Sequence, residues 1–382
     1  MPKVAVPITP DVLRWAISES GYTPEEVAHE AKLDPAHVAD WLEARSQPGV
    51  SDVRALAHVL RRPVAALLLP TPPVSKQPAV AFRRLPGVPD RPLTPVERRY
   101  VRKATRLQTM LAGVAAELGE SPTSLPTVVR QADMDVVAAQ VRRTLGLPLD
   151  AHTNWTSASA AFDAWREAVE STNAAVFLFQ MGPDNCRGFS LWNDRVPVVA
   201  VNTAWNDEAR TFTLLHELGH LVTHTNSACA VGAPATVTGS WDPVERWCEE
   251  FAAALLLPEQ PLRAVLVEKL GPQARATEVG HVSPIARRFR ASLRATTIRL
   301  IQLNLASWDL YRALPEATDA KRGGGGAKGG RDRQEIQEDS LGRRTTDLVS
   351  RGMAADLVSR SEALSYLDVP DPALDTLAVR SA

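Results

Sequence analysis

The chain has 382 residues, of which 45% are hydrophobic and 23% are charged, and its formal net charge at pH 7 is −1. A chain this close to neutrality is not a general binder of polyanions, and it shows neither an apolar run of membrane-spanning length nor the pattern of a signal peptide. Its three cysteines, at positions 186, 229 and 248, are not closely paired. We therefore expect a cytoplasmic protein with reduced thiols and no membrane partner.

The first 70 residues predict a small helical domain. Thr23 and Glu26 have the spacing of a capping box, and Pro35 follows Asp34 at the point where another helix would begin. Apolar residues recur at helical spacing through the whole region, which indicates a compact core. The predicted helices are five, at 10–19, 23–31, 35–44, 51–60 and 63–68.

The same region resembles the XRE-type helix-turn-helix of phage repressors. The resemblance is carried by the run from Gly21 to Ala28 and by Val38, Trp41 and Leu56. Such domains place their third helix in the major groove of DNA, which makes His37 and Arg45 candidates for DNA contact. However, residues 1–70 contain seven Lys and Arg against nine Asp and Glu, which is unfavourable for phosphate binding. Two interpretations stay open: DNA binding, or recognition of a protein by a repressor-like fold.

Residues 71–130 predict a Pro-rich linker followed by a basic helix. Between Lys76 and Arg106 nine basic residues stand against two acidic ones. The simpler interpretation of the basic helix is a solvated face. The alternative is a phosphate-binding stripe, for which Arg98 and Arg102 are the candidates.

Three short apolar segments predict a small sheet further along the chain. Residues 174–179 have the composition of a buried strand, and residues 187–192 and 196–201 form a hairpin pattern that turns at Asn193 and Asp194. An edge strand of such a sheet can bind an extended peptide through main-chain hydrogen bonds. We therefore expect this sheet to lie beside any peptide-binding site.

A proline-free run with helical periodicity, from Asp207 to His224, contains the sequence His-Glu-Leu-Gly-His. His216 and His220 are four residues apart, so on a helix they project from one face and can bind one metal ion. Glu217 between them can take a proton from a water molecule. The pattern predicts a zinc site with Glu217 as general base.

A catalytic zinc site needs a third protein ligand. His224 lies eight residues after His216, about 12 Å along the helix axis, which is too far for one ion. A second predicted helix, Asp242–Pro258, offers two carboxylates one turn apart. Glu245 is the predicted ligand, and Glu249 is predicted to hydrogen-bond a metal-binding histidine; the alternative for both is a solvated face.

Two further features leave their roles open. The oxyanion of a peptidase reaction needs a hydrogen-bond donor, and the candidates are Arg210, His224 and His281. After Pro315 a Gly-rich tether at 321–330 precedes a tail with apolar residues at helical spacing. This tail could cover the active-site cleft, bind a partner or cover the protein surface.

The run from Arg210 to His224, followed by the run from Glu245 to Pro258, resembles the ImmA/IrrE family of metallopeptidases. The resemblance covers roughly residues 130–310. In that family the first glutamate of the second run is the third zinc ligand, which falls on Glu245, and an asparagine of the family pattern is replaced here by Glu249. The resemblance implies a zinc enzyme that cleaves a helix-turn-helix repressor and so activates the genes that the repressor silenced.

The sequence thus predicts an α+β, mostly helical protein in four segments. They are a five-helix helix-turn-helix domain at 1–70, a linker with a basic helix at 71–130, a zincin-like metallopeptidase domain with a small sheet at 131–315, and a tether with a helical tail at 316–382. The predicted function is a zinc-dependent endopeptidase that cleaves an XRE-type repressor to derepress stress or mobile-element genes. The alternative is a DNA-binding regulator, or an antitoxin-like partner-binding protein, whose metal domain is structural or sensory.

Overall fold

The computed structural model describes residues 5–73, 93–224, 227–229, 243–272, 275–315 and 339–367, together with 369, 371 and 374. Most of the predicted Pro-rich linker, the Gly-rich tether and Asp242 lie outside the described residues. The described residues form two units: unit 1 extends to Lys103, and unit 2 begins at Ala104. Within these residues the predicted fold class, α+β and mostly helical, is confirmed.

Unit 1 contains the five predicted helices. They are α1 (Pro10–Ser20), α2 (Pro24–Ala31), α3 (Pro35–Leu42), α4 (Val50–Val59) and α5 (Val64–Leu67). The capping box at Thr23 is present, with Glu26 N donating to Thr23 Oγ1 and Thr23 N donating to Glu26 Oε2, and Asp34 caps α3. Their core is made of the apolar residues that recur at helical spacing, among them Leu13, Val27, Val38, Trp41 and Leu56.

The basic helix is also present, as α6 (Pro95–Glu117). It begins with a second capping box, in which Thr94 and Glu97 exchange hydrogen bonds of 3.1 and 2.9 Å between side chain and backbone. Its residues up to Lys103 belong to unit 1 and its residues from Ala104 belong to unit 2. The basic residues of α6 are therefore divided between the two units.

Unit 2 contains a four-stranded sheet with the order β1-β3-β2-β4. The strands are β1 (Ala175–Phe179), β2 (Gly188–Leu191), β3 (Val198–Asn202) and β4 (Ser227–Cys229). The predicted hairpin is confirmed as the antiparallel pair β2–β3, while β1 pairs with β3 in parallel. The strand β4 was not predicted from the sequence, because Ser-Ala-Cys is too short for a strand pattern and has no alternation of apolar and polar residues.

Helices cover this sheet and extend the core. They are α7 (Met134–Thr144), α8 (Ala158–Glu170), α9 (Asp207–Val222), α10 (Pro243–Leu256), α11 (Glu259–Leu270), α12 (Val279–Phe289), α13 (Leu293–Gln302) and α14 (Trp308–Arg312). The helix with the His-Glu-Leu-Gly-His sequence, α9, packs on β2 and β3 on one side and on α10 on the other. It is buried from Ala209 onward apart from Phe212, as expected for a helix enclosed in a core.

The C-terminal tail belongs to unit 2. Its helices α15 (Arg343–Ala354) and α16 (Arg360–Leu367) bury Leu348 and Leu367 completely, and α15 packs against α8 and the edge strand β1. Arg344 and Arg351 both form ion pairs with Glu120. Among the described residues, the tail thus packs against the helix and the strand at one side of the sheet.

We expect Leu348→Ala to destabilise unit 2, because it removes a fully buried side chain from the contact between α15 and the rest of the unit. The expected loss in free energy of unfolding is about 2–5 kcal/mol, measured by urea denaturation. The matched control is Leu357→Ala, at an exposed apolar position of the same tail, for which we expect a change of about 0.5 kcal/mol or less. Equal effects of the two substitutions would contradict the packing of the tail.

Candidate metal centre

The position of α9 depends on close contact with α10. A Cβ atom added to Gly219 would lie 3.1 Å from Cys248 Sγ and 3.1 Å from Phe251 Cδ1, so the two helices approach at a point where α9 has no side chain. Cys248 is fully buried in this contact. One consequence is that Glu245, almost one turn before Cys248 on α10, reaches the histidines of α9.

Three buried side chains converge where these helices meet. His216 Nε2 lies 3.2 Å from Glu245 Oε2 and 3.2 Å from His220 Nε2, and His220 Nε2 lies 3.4 Å from Glu245 Oε1. Bonds of 2.0–2.1 Å to a tetrahedral zinc ion would place its ligand atoms about 3.3 Å apart. One ligand atom from each of the three side chains lies within 4.8 Å of the other two, so together they can hold a divalent metal ion.

The same three side chains shift one another's protonation. Burial opposes a charge on His216, but the hydrogen bond to Glu245 and the nearby carboxylates outweigh it and raise the pKa of His216 to about 9. Burial likewise opposes a charge on Glu245, but the two histidines lower its pKa to about 2. Without a metal ion the pair is thus an imidazolium and a carboxylate, and a metal ion must displace the proton.

Glu217 lies at the contact between α9 and the sheet. Its side chain is fully buried, and a Cβ atom added to Gly188 of β2 would lie 3.4 Å from Glu217 Cγ and 2.6 Å from Thr213 Cγ2. The strand therefore rests on α9 beside Glu217. Because Gly188 pairs with Cys229, the backbone of the edge strand β4 runs next to this position.

Glu249 is partly buried on α10, one turn after Glu245. Burial is the largest effect on Glu249 and raises its pKa, and the charge of Glu245 raises it further. The charges of His216 and Arg187 lower this pKa but do not outweigh burial. Within the described part of the chain, Glu249 forms no hydrogen bond with either histidine, although the sequence analysis predicted one. Its influence on the metal centre is through charge, because three carboxyl groups now lie close to two imidazoles.

The three candidates for oxyanion stabilisation contact side chains outside the set of metal donors. Arg210 pairs with Asp207 at 2.7 Å, and His281 lies 3.4 Å from Glu278. His224 follows the end of α9 with a φ of 54°, and its Nε2 lies 2.8 Å from the hydroxyl of Thr127. Its imidazole also stacks on the Trp192 ring at 3.8 Å, so the contacts of its ring are with these two side chains.

One cation close to the metal centre was not predicted from the sequence. Arg187 directly precedes Gly188, and its guanidinium lies 4.2 Å from the ring of Trp205. Its charge lowers the pKa of Glu249, so it lies within electrostatic range of the carboxyl groups around the site. The only signal in the sequence was its place at the start of the hairpin, which is too weak to single out one arginine.

The candidate DNA-binding residues all lie in unit 1. His37 stacks against Trp41, and Arg45 forms ion pairs with Asp40 and Glu43 on its own side of the domain. The other two point inward and donate to helix-end carbonyls, Arg98 to Ser18 O at 3.3 Å and Arg102 to Glu19 O at 2.7 Å. A role in DNA binding stays a prediction for all four.

Comparisons with known proteins agree with the geometry of unit 2. Residues 169–300, which include α9 and α10, match the model of the Peptidase M78 family, described as the IrrE N-terminal-like domain. No curated protein matches the chain, and no helix among the described residues is both long and apolar enough to cross a membrane. Over residues 169–300 the chain is therefore similar to the IrrE N-terminal-like domain of the Peptidase M78 family, a family of metallopeptidases.

Proposed function

We propose that this protein is a zinc-dependent endopeptidase whose metal ion is held by His216, His220 and Glu245. The observation that carries the proposal is the set of three buried donors, whose ligand atoms lie within 4.8 Å of one another, beside the buried Glu217. Two imidazoles and one carboxylate form a donor set typical of catalytic zinc, which leaves a fourth position open. Zinc bound there supplies Lewis acidity, which polarises a peptide carbonyl and lowers the pKa of water.

Glu217 is the general base in this proposal. It follows His216 directly on α9, so its carboxylate is fixed by the same helix that carries two of the metal ligands. Its burial against Gly188 excludes bulk water and strengthens its electrostatic interactions. In the reaction Glu217 accepts a proton from the attacking water and then transfers it to the nitrogen of the leaving amine.

The substrate is an extended segment of a protein. The strand β4, at the edge of the described sheet, runs beside the position of Glu217, and an edge strand can pair through its main-chain groups with a peptide in an extended conformation. This placement holds the scissile bond at the metal centre. The ImmA/IrrE resemblance supports a repressor with an XRE-type helix-turn-helix as the natural substrate, and cleavage would then act as a transcriptional switch in the cytoplasm.

The five helices of unit 1 support a second part of the proposal. Their order and caps are those predicted from capping residues and apolar spacing, and the resemblance to XRE-type domains supports the proposal that unit 1 is a helix-turn-helix domain. It would bring the peptidase to its site of action, either on DNA or on a repressor of related fold. The low basic charge of residues 1–70 favours protein recognition over DNA binding by α3.

Purified protein should contain one zinc ion per chain, as measured by elemental analysis. Glu245→Gln should remove most of this zinc, because it takes away the charged ligand from two neutral imidazoles. The matched control is Glu249→Gln on the same helix, which should keep the zinc because this carboxyl lies outside the donor set. Retention of full zinc by Glu245→Gln would contradict the proposed ligand set.

Glu217→Gln should abolish cleavage of an XRE-type repressor without loss of zinc or of fold. The expected decrease in kcat is about 10²- to 10⁴-fold, the usual contribution of a general base. Cleavage is measured by electrophoresis of the repressor, and zinc content and circular dichroism serve as controls on the same sample. If the variant cleaves at the wild-type rate, Glu217 is not the base and the peptidase proposal loses its mechanism.

Zinc binding to metal-free protein should release about one proton at pH 7. The pKa of His216 is raised to about 9, so the imidazole is protonated below that pH and must lose its proton when the metal binds. Apparent zinc affinity should therefore increase with pH, by about tenfold per unit between pH 6 and 8. Calorimetry in two buffers of different ionisation enthalpy measures the released proton, and identical heats in both buffers would contradict this linkage.

A further inference from the structure

We infer that unit 1 contains a binding pocket for a phosphate group, formed by the end of α4 and the beginning of α6. No part of the proposed peptidase mechanism uses this pocket. It is a cavity of about 180 Å³ with Arg61, Arg99, Arg102, His58 and Tyr22 among its lining residues. All of these residues belong to unit 1.

The arrangement of α6 explains why the pocket is basic. Arg98 and Arg102 donate hydrogen bonds to the carbonyl oxygens of Ser18 and Glu19, at the end of α1. These bonds satisfy acceptors that a helix leaves free at its C-terminus. They also fix the first turns of α6 against α1, so the side chains along this stretch of α6 hold defined positions around the cavity.

Carbonyl groups at the end of α4 are also satisfied within the protein. Ala57 O accepts a hydrogen bond from the backbone of Arg62, and His58 O accepts one from the backbone of Arg61. The negative ends of these helices are therefore paired before any ligand arrives. The remaining side-chain donors around the cavity are available to an external acceptor.

Two of the arginines have no anionic partner. Within the described part of the chain no ion pair or hydrogen bond involves the guanidinium of Arg61 or of Arg99, although Arg99 lies 4.7 Å from the ring of Tyr100. Arg102 is partly desolvated and surrounded by like charges: burial lowers its pKa to about 10, with Arg62, Arg98 and Arg99 adding to the effect and Glu19 opposing it. The cluster thus contains a repulsion that an anion would relieve.

Acidic residues do not balance this charge. Among the described residues of the cavity wall, Glu30 is the one acidic residue, while Glu19 already lies 3.8 Å from Arg62. Three arginines against one glutamate leave the wall with an excess of positive charge. The cavity therefore selects an anion over a cation or a neutral molecule.

The donors and the size of the cavity define the class of ligand. Guanidinium groups bind phosphate oxygens through paired N–H donors, and the hydroxyl of Tyr22 and the imidazole of His58 can donate further hydrogen bonds. A volume of about 180 Å³ corresponds to roughly six water molecules, which is enough for a phosphate or a diphosphate. The group could come from a small phosphorylated molecule or from the backbone of DNA.

The test is calorimetric titration of the full-length chain with inorganic phosphate and with pyrophosphate. We expect binding of pyrophosphate in the millimolar range or tighter, and a loss of about tenfold per arginine in the variant Arg61→Gln/Arg99→Gln. The matched control is Arg54→Gln, which changes an exposed arginine of α4 outside the cavity. Zinc content is measured for every variant, so that binding of pyrophosphate at the metal centre is recognised by its persistence in the double variant.

A second arm distinguishes the two sources of phosphate. Binding of a fluorescent DNA duplex is measured by anisotropy with and without pyrophosphate. The pocket binds a backbone phosphate if pyrophosphate displaces the DNA and the variant Arg61→Gln/Arg99→Gln binds DNA more weakly. It binds a small phosphorylated molecule if pyrophosphate binds without any effect on DNA binding. The inference is overturned if pyrophosphate does not bind at about 10 mM and the double variant binds DNA as tightly as the wild type does. It is also overturned if the double variant binds both probes like the wild type.

Discussion

The metal centre depends on the tight enclosure of α9 between the sheet and α10. Gly188 of β2 and Gly219 of α9 mark the two contacts, and a methyl group at either position would lie within 2.6–3.1 Å of neighbouring atoms. Because both contacts lack a side chain, β2 lies beside Glu217, and α10 brings Glu245 within hydrogen-bond distance of a histidine. Any increase in the distance between α9 and α10 would separate the donors more than one ion can span.

This enclosure has an electrostatic cost that a metal ion offsets. Glu217 and Glu245 are buried and Glu249 is partly buried, beside two buried histidines. Carboxylates removed from water are unfavourable unless they are paired, and one imidazolium does not balance three of them. A divalent cation that displaces the imidazolium proton would add one net positive charge among these carboxyl groups and so reduce the imbalance.

The parts of this structure that sequence analysis predicted are the local ones. Local residue types and periodicity predict the helix caps at Thr23 and Asp34, the hairpin, and the spacing of His216 and His220. The prediction of Glu245 came from helical spacing together with the family pattern. The failures all concern contacts between distant segments. Three features depend on packing that no local pattern encodes: the strand β4, the side chains that contact His224, and the contact of the tail with β1.

The same distinction decides how the charge of unit 1 should be interpreted. Counted along the sequence, α6 is a basic helix available to phosphates, but Arg98 and Arg102 are used to satisfy carbonyl groups at the end of α1. In α3 the nearest cation, Arg45, is paired with Asp40 at 2.7 Å. In the inferred pocket, Arg61 and Arg99 are therefore the two arginines whose guanidinium groups are not already used by a carbonyl or carboxylate among the described residues.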